Sequence, residues 1–176
     1  MPEKTYLLDI SALFNGEVSE LPFAFTLHPE DTEDTLDLVF PNDVSVEGRA
    51  YEKARGVGKA ESFTALEFTL LGRYTTHCAR CAKPLEASFA VTHTYALARR
   101  LSSDDDAYIE VPDGVLDVYE LCETTFYLEL PTKVLCREDC KGLCTVCGHD
   151  LNEGECGCDR SFRRSPFEDL KKLLDK

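Results

Sequence analysis

Cys136-Arg137-Glu138-Asp139-Cys140-Lys141-Gly142-Leu143-Cys144-Thr145-Val146-Cys147-Gly148-His149-Asp150-Leu151-Asn152-Glu153-Gly154-Glu155-Cys156-Gly157-Cys158 is the stretch from which the rest of the chain is best read. It holds six of the nine cysteines in 23 residues, and it has too few apolar side chains to fold by hydrophobic burial. A thiolate is a soft anionic ligand, and four of them satisfy the tetrahedral preference of zinc. Cys144 and Cys147 have a knuckle spacing, in which the turn between two cysteines aims backbone amides at sulfur, and Gly148 tolerates the left-handed backbone that often follows. Cys156 and Cys158 supply the closing pair, with Gly157 between them giving the backbone room to bring both sulfurs to one ion. Cys136 and Cys140 are then left without a local partner pair.

Their complement lies upstream. Cys78-Ala79-Arg80-Cys81 follows a strand-like run, Tyr74-Thr75-Thr76-His77, and is half a site. Joining it to Cys136 and Cys140 makes a second four-sulfur set that ties the C-terminal segment to the tip of a sheet. The alternative assigns Cys136 or Cys140 to the other cluster and leaves Cys78 and Cys81 as a redox dithiol. His77 and His149 are possible substitute ligands, and His93 reads as a core histidine. Short spacings of this kind in a reducing compartment indicate metal, whereas a secreted chain with as many cysteines would carry disulfides. The expected cofactor is zinc, as two structural ions.

Working outward, the first 110 residues alternate in the manner of strands: Leu21, Phe23, Phe25 and Leu27; Leu66, Phe68 and Leu70; Phe89, Val91, Tyr95 and Leu97. Ser11 to Asn15 reads as a short helical turn closed by Gly16. Lys53 to Lys59, with two glycines and three basic residues, reads as an exposed hairpin loop. Ser102 to Asp106 is a solvated acidic loop before a short strand at Tyr108 to Val111. From Val115 to Leu130 the period becomes helical, with Asp117 and Glu120 placed as a capping box, Val118, Leu121, Cys122, Thr125, Phe126 and Leu128 on one apolar stripe, and Pro131 as the stop. Cys122 then behaves as a small buried hydrophobe. Ser165-Pro166-Phe167-Glu168 starts a last helix, with Leu170, Leu173 and Leu174 on its docking face. The expected fold class is therefore α+β: an antiparallel sheet or partly open barrel over the N-terminal two-thirds, one helix at about 115–130, a cysteine-rich zinc segment and a short C-terminal helix. The expected domains are 1–131, β-rich with one helix, and 132–176, the zinc segment with its terminal helix packed on the main domain.

The 176 residues carry a formal charge of −14, unevenly distributed. Residues 1–48 hold eleven acids against Lys4, while residues 49–100 hold nine basic residues against four acids. Binding a polyanion through the whole surface is disfavoured by this balance. The basic middle, Lys53, Arg55, Lys59, Arg80 and Lys83, is the candidate partner-binding patch. The chain has no basic leader followed by an apolar run and no long apolar span, so the expectation is a soluble cytoplasmic protein without membrane contact. No phosphate loop, nucleophile elbow or H-E-x-x-H motif is present, and all-cysteine sites leave no open coordination position, so no enzyme and no small-molecule substrate are expected.

The run from Cys136 through Asn152 to Cys158, preceded by Leu128-Glu129-Leu130-Pro131 and by Cys78-Ala79-Arg80-Cys81 in a β-rich half, closely resembles the YceD family of large ribosomal RNA subunit accumulation proteins. Thr145 stands where the family usually has proline, and Arg164-Ser165-Pro166-Phe167 replaces the usual Asp-Pro-Arg before the last helix. The resemblance implies a non-enzymatic role in the accumulation, processing or assembly of large-subunit ribosomal RNA, with ribosomal RNA, a pre-ribosomal particle or a basic ribosomal protein as partner. Two other readings compete with direct RNA contact: an acidic chaperone for a basic ribosomal protein, and a thiol redox or metal-sensing protein.

Overall fold

The computed structural model describes residues 5–29, 37–54, 62–100 and 108–159. These form two compact units, one built from the described parts of Met1–Thr76 and Leu85–Thr132, the other from His77–Pro84 and the chain from Lys133 onward. The expected solvated loop at 102–106 and the terminal helix at 165–176 lie outside the described residues.

The first unit is α+β. Its main sheet runs β2 (Glu20–Leu27), β3 (Val44–Ala54), β4 (Ser62–His77), β5 (Pro84–Ala98) and β6 (Tyr108–Glu110) in that spatial order. β2, β3 and β4 pair antiparallel, and β6 adds in parallel to β5. The sheet is open and not a closed barrel, its outer strands being β2 and β6. A two-stranded ribbon joins β1 (Leu7–Asp9) to β7 (Val115–Asp117). The turn α1 (Ser11–Phe14) follows β1, and Gly16 leaves it with φ +71°.

Alternation explains the core. Along β2, Phe23 and Leu27 are buried, while Glu20, Pro22, Ala24 and Thr26 are exposed. On β3 and β4, Val44, Val46, Leu66, Phe68 and Leu70 are 0–1 % exposed. This face is covered by α2 (Val118–Glu129). Phe126 meets Phe40 edge-on at 5.1 Å and Phe89 at 5.3 Å, and Tyr119 stacks on Phe25 at 5.7 Å. The Tyr95 hydroxyl lies 2.9 Å from the Thr125 hydroxyl, which donates to the Leu121 carbonyl at 2.7 Å, so a buried threonine is satisfied. Truncating Phe126 to alanine would cost roughly 3–5 kcal/mol. Cys122 is fully buried on the same face, and burial pushes its thiol up to about 12. His93 is half-buried, its ring 4.5 Å from that of Tyr95.

Leu128, expected on the apolar stripe of the helix, is instead 77 % exposed, and two boundaries also differ from the sequence reading. The helix begins at Val118 and not at Val115, because Val115 to Asp117 are recruited as a strand by β1. Asp117 is the junction between strand and helix. Its extended backbone ends β7, while its carboxylate accepts the amides of Tyr119 at 3.0 Å, Glu120 at 3.4 Å and Tyr6 at 3.2 Å. β3 also runs further than the composition suggested: Lys53 and Ala54 pair with Phe63 and Ser62 in the sheet, so Lys53 is a strand residue with an exposed side chain and not part of a loop.

Candidate metal centres

The second unit has almost no apolar interior. Among its described residues the buried ones are Cys78, Cys81, Cys140, Cys144 and Gly142, so sulfur stands where a core would be. The cysteines fall into two sets of four, Cys78/Cys81/Cys136/Cys140 and Cys144/Cys147/Cys156/Cys158, and within each set the sulfurs lie within 4.8 Å of one another. In the first set Cys78 Sγ is 3.8 Å from Cys140 Sγ, and Cys81 Sγ is 3.7 Å from Cys136 Sγ. A disulfide needs about 2.05 Å. Four sulfurs at roughly 2.3 Å from a tetrahedral ion are about 3.8 Å apart. The first set therefore has the separations of a thiolate cage, and all nine cysteines are free thiols. Neither set contains His77 or His149.

Local backbone geometry builds each centre. The turn from Cys78 to Lys83 closes with the Cys78 amide donating to the Lys83 carbonyl at 2.8 Å and the Ala82 amide to the Cys78 carbonyl at 2.8 Å. Ala82 has φ +57°, the left-handed conformation that Gly148, at φ +76°, takes immediately after Cys147. The Ala79 amide donates to the Val134 carbonyl at 2.9 Å, which brings the Cys136 segment alongside, and the Cys136 amide donates to Cys78 Sγ at 3.4 Å. In the second centre the Gly148 amide donates to the Cys144 carbonyl and the Cys144 amide to the His149 carbonyl, both at 2.8 Å.

These amides act on the thiols. The Cys136 amide, with those of Arg80 and Cys81, holds the Cys78 thiol down at about 6 against the effect of burial. Cys144 is held at about 6 by the amides of Val146 and Cys147. Burial pushes Cys140 up, but the Asn152 side chain, the Gly142 amide and the neighbouring thiols outweigh it and leave it below the usual range. Burial and the neighbouring sulfurs raise Cys136 to about 12, and Cys147 and Cys156 raise Cys158 to about 12. Crowded sulfurs resist losing all their protons unless a cation shares the cage, which is the electrostatic condition for metal uptake with proton release.

Around the first centre lies a polar layer that motif spacing did not single out. The Asn152 side chain donates to Cys140 Sγ at 3.5 Å and accepts from the Lys141 amide at 2.8 Å and from Arg137 at 2.7 Å. Asp150 accepts the Asn152 amide at 2.9 Å through Oδ1 and pairs with Lys83 at 2.9 Å through Oδ2. Lys83 holds the Asp150 carboxyl down at about 2, and Asp150 with Glu153 raises the Lys83 ammonium in return. An Asp-x-Asn sequence is the mark of a side chain capping its own turn, and that was the available signal for these residues.

Of the expected basic patch, Lys53 belongs to the first unit and Arg80 and Lys83 to the second. Arg80 donates to the carbonyls of Cys140 at 2.8 Å and Glu138 at 3.2 Å, and Lys83 is bound to Asp150 and to Glu153. Lys53 is exposed on β3, and Arg55 and Lys59 lie outside the described residues.

The chain is 30% identical over 89 residues to an uncharacterized protein of Mycobacterium leprae (strain TN), covering 47% of this chain and 41% of the relative. It is 36% identical over 79 residues to uncharacterized proteins of Mycobacterium bovis (strain ATCC BAA-935 / AF2122/97) and Mycobacterium tuberculosis (strain ATCC 25618 / H37Rv), covering 42% of this chain and 38% of each. The chain thus spans about two-fifths of the length of the curated relatives it matches. No solved structure matches it. The family model described as large ribosomal RNA subunit accumulation protein YceD matches residues 66–174, from β4 through all eight paired cysteines, and the chain belongs to the YceD family.

Proposed function

We propose that this protein is a non-enzymatic cytoplasmic factor in the accumulation, processing or assembly of large-subunit ribosomal RNA, and that its cysteine sets hold two structural zinc ions. The observation that carries the reading is the family match over residues 66–174, whose description names large ribosomal RNA subunit accumulation. Two four-sulfur sets within that match support the zinc assignment. Four thiolates fill a tetrahedral ion's coordination shell, leaving no open position for substrate or activated water. Among the described residues no helix is long and apolar enough to cross a membrane.

Within this role the internal pairing of Arg80 and Lys83 favours a protein partner over direct RNA contact by the metal unit. An excess of 33 acidic over 19 basic residues suits a basic ribosomal protein. RNA contact, where made, falls to Lys53, Arg55 and Lys59. Capture of the tagged protein from cells, with and without nuclease, separates the two modes. Retention of a basic ribosomal protein after nuclease supports the protein partner, and loss of every ribosomal component upon nuclease refutes it. Metal analysis of the purified chain should find two zinc ions per molecule; none would overturn the metal assignment.

A further inference from the structure

The loop between Cys147 and Cys156 has both ends tied to the second centre, yet its polar side chains work at the first. Asn152 donates to Cys140 Sγ, and its carbonyl oxygen accepts from the amide of Lys141 and the guanidinium of Arg137, the residues directly following Cys140 and Cys136. Asp150 reaches Lys83, two residues after Cys81. The loop therefore makes bonds at or within two residues of three of the first centre's four cysteines. Its backbone is fastened to the same region: the Leu151 amide donates to the Gly142 carbonyl at 2.9 Å, Leu143 forms a bridge with Asp150, and the Leu143 amide donates to the Arg80 carbonyl at 3.0 Å.

We infer that the two metal centres are coupled, and that metal bound by Cys144, Cys147, Cys156 and Cys158 raises the affinity of Cys78, Cys81, Cys136 and Cys140 through the Asn152 and Asp150 side chains. The physical reason is preorganisation. The loop of eight residues, 148 to 155, is held by a few hydrogen bonds along its first half, and an ion shared by its flanking cysteines would fix both of its ends and so lower the cost of holding Asn152 and Asp150 beside the first centre. Groups that orient ligands from outside the coordination shell are worth about ten- to hundredfold in metal affinity. By linkage, an ion in the first centre tightens the second by the same factor. Asn152 is here a positioning residue, touching a ligand sulfur but no metal.

The test is a cobalt(II) titration of the full reduced chain against a competing chelator, read by sulfur-to-cobalt charge-transfer absorption. Four chains are compared: the natural one, Cys156→Ser/Cys158→Ser, Asn152→Ala, and the combination. First-centre affinity should fall about ten- to hundredfold when the second centre is removed and by a similar factor with Asn152→Ala, and the combined chain should lose little more than either. In a Cys78→Ser/Cys81→Ser background, Asn152→Ala should leave the second centre unchanged. Equal first-centre affinity with and without the second centre overturns the coupling, and so do fully additive losses. Absence of charge-transfer absorption in the natural chain refutes the metal reading itself, and with it the coupling. If circular dichroism shows that Asn152→Ala does not fold, the comparison of the natural chain with Cys156→Ser/Cys158→Ser decides alone.

Discussion

Replacing Gly142 by alanine tests whether the two centres are held at a fixed spacing by close backbone packing. Gly142 lies between Cys140 of one set and Cys144 of the other, with φ +76°. An L-residue in that left-handed conformation costs about 1–2 kcal/mol. A Cβ there would also stand 2.9 Å from the Arg80 carbonyl oxygen and 3.2 Å from Arg80 Cβ, closer than the backbone can accept without moving. That carbonyl is the acceptor for the Leu143 amide at 3.0 Å, and displacing it loses a bond worth about 1 kcal/mol net. The expected total is about 2–3 kcal/mol. Gly148 is the internal control, since it has the same φ of +76° but nothing within 4 Å of its added Cβ. Gly148→Ala should therefore cost about 1–2 kcal/mol, leaving a gap of about 1 kcal/mol, roughly fivefold in an equilibrium constant. Metal-loaded protein is unfolded in urea with a chromophoric chelator reporting release, and the midpoints of the three chains are compared. Equal losses, or a larger loss at Gly148, would show that Arg80 does not pack against Gly142 as described.

Three further perturbations probe other parts of the molecule. Ala82→Gly relieves the left-handed φ of +57° after Cys81 and should stabilise the metal-loaded unit by about 0.5–1 kcal/mol, seen as a higher urea midpoint for release; a lower midpoint contradicts the assigned turn. Cys122, held at about 12 by burial against an ordinary 9.0, keeps its proton in the folded chain while the unfolded chain loses its own. Its contribution is thus complete below pH 9.0 and declines toward pH 12, by up to about 1.4 kcal/mol per pH unit, so Cys122→Ala should flatten the alkaline fall in stability; parallel profiles for the two chains would refute it. Chelation of metal from the natural protein should abolish amide-exchange protection in residues 78–83 and 133–159 while sparing β2 to β5, because among the described residues the second unit buries cysteines and a glycine where the first buries aliphatic and aromatic side chains. Protection retained in residues 133–159 would mean that something other than metal orders them.

Local rules read much of the chain correctly. Alternation at Leu21 to Leu27 and Leu66 to Leu70 marked strands because each buries one face, and Asp117 with Pro131 bracketed a helix because capping and the missing proline amide act within a few residues. The short spacings of the cysteine pairs were equally legible, since a turn of two or three residues is a local matter. The places where the reading slipped involve a partner far along the chain. Val115 to Asp117 have an acceptable helical pattern, but β1, over a hundred residues earlier, takes them as a strand. Lys53 looked like part of a loop until its pairing with Phe63 placed it in the sheet.

The same division runs through the metal unit. That the cysteines could hold metal followed from thiolate chemistry and from a segment with no core of its own. Which pairs share a cage depends on bringing Cys78 to Cys140 across 62 positions, and that is done by the Ala79–Val134 bond and the turn at Ala82. Charge type was equally plain in the composition, while charge availability was not. Arg80 and Lys83 were candidates for partner binding by charge alone, and folding sets a pair of carbonyls against one and a pair of carboxylates against the other. Residue chemistry and short spacing are properties of the chain, but whether a side chain supports the scaffold or faces a partner depends on neighbours that only folding brings within hydrogen-bonding distance.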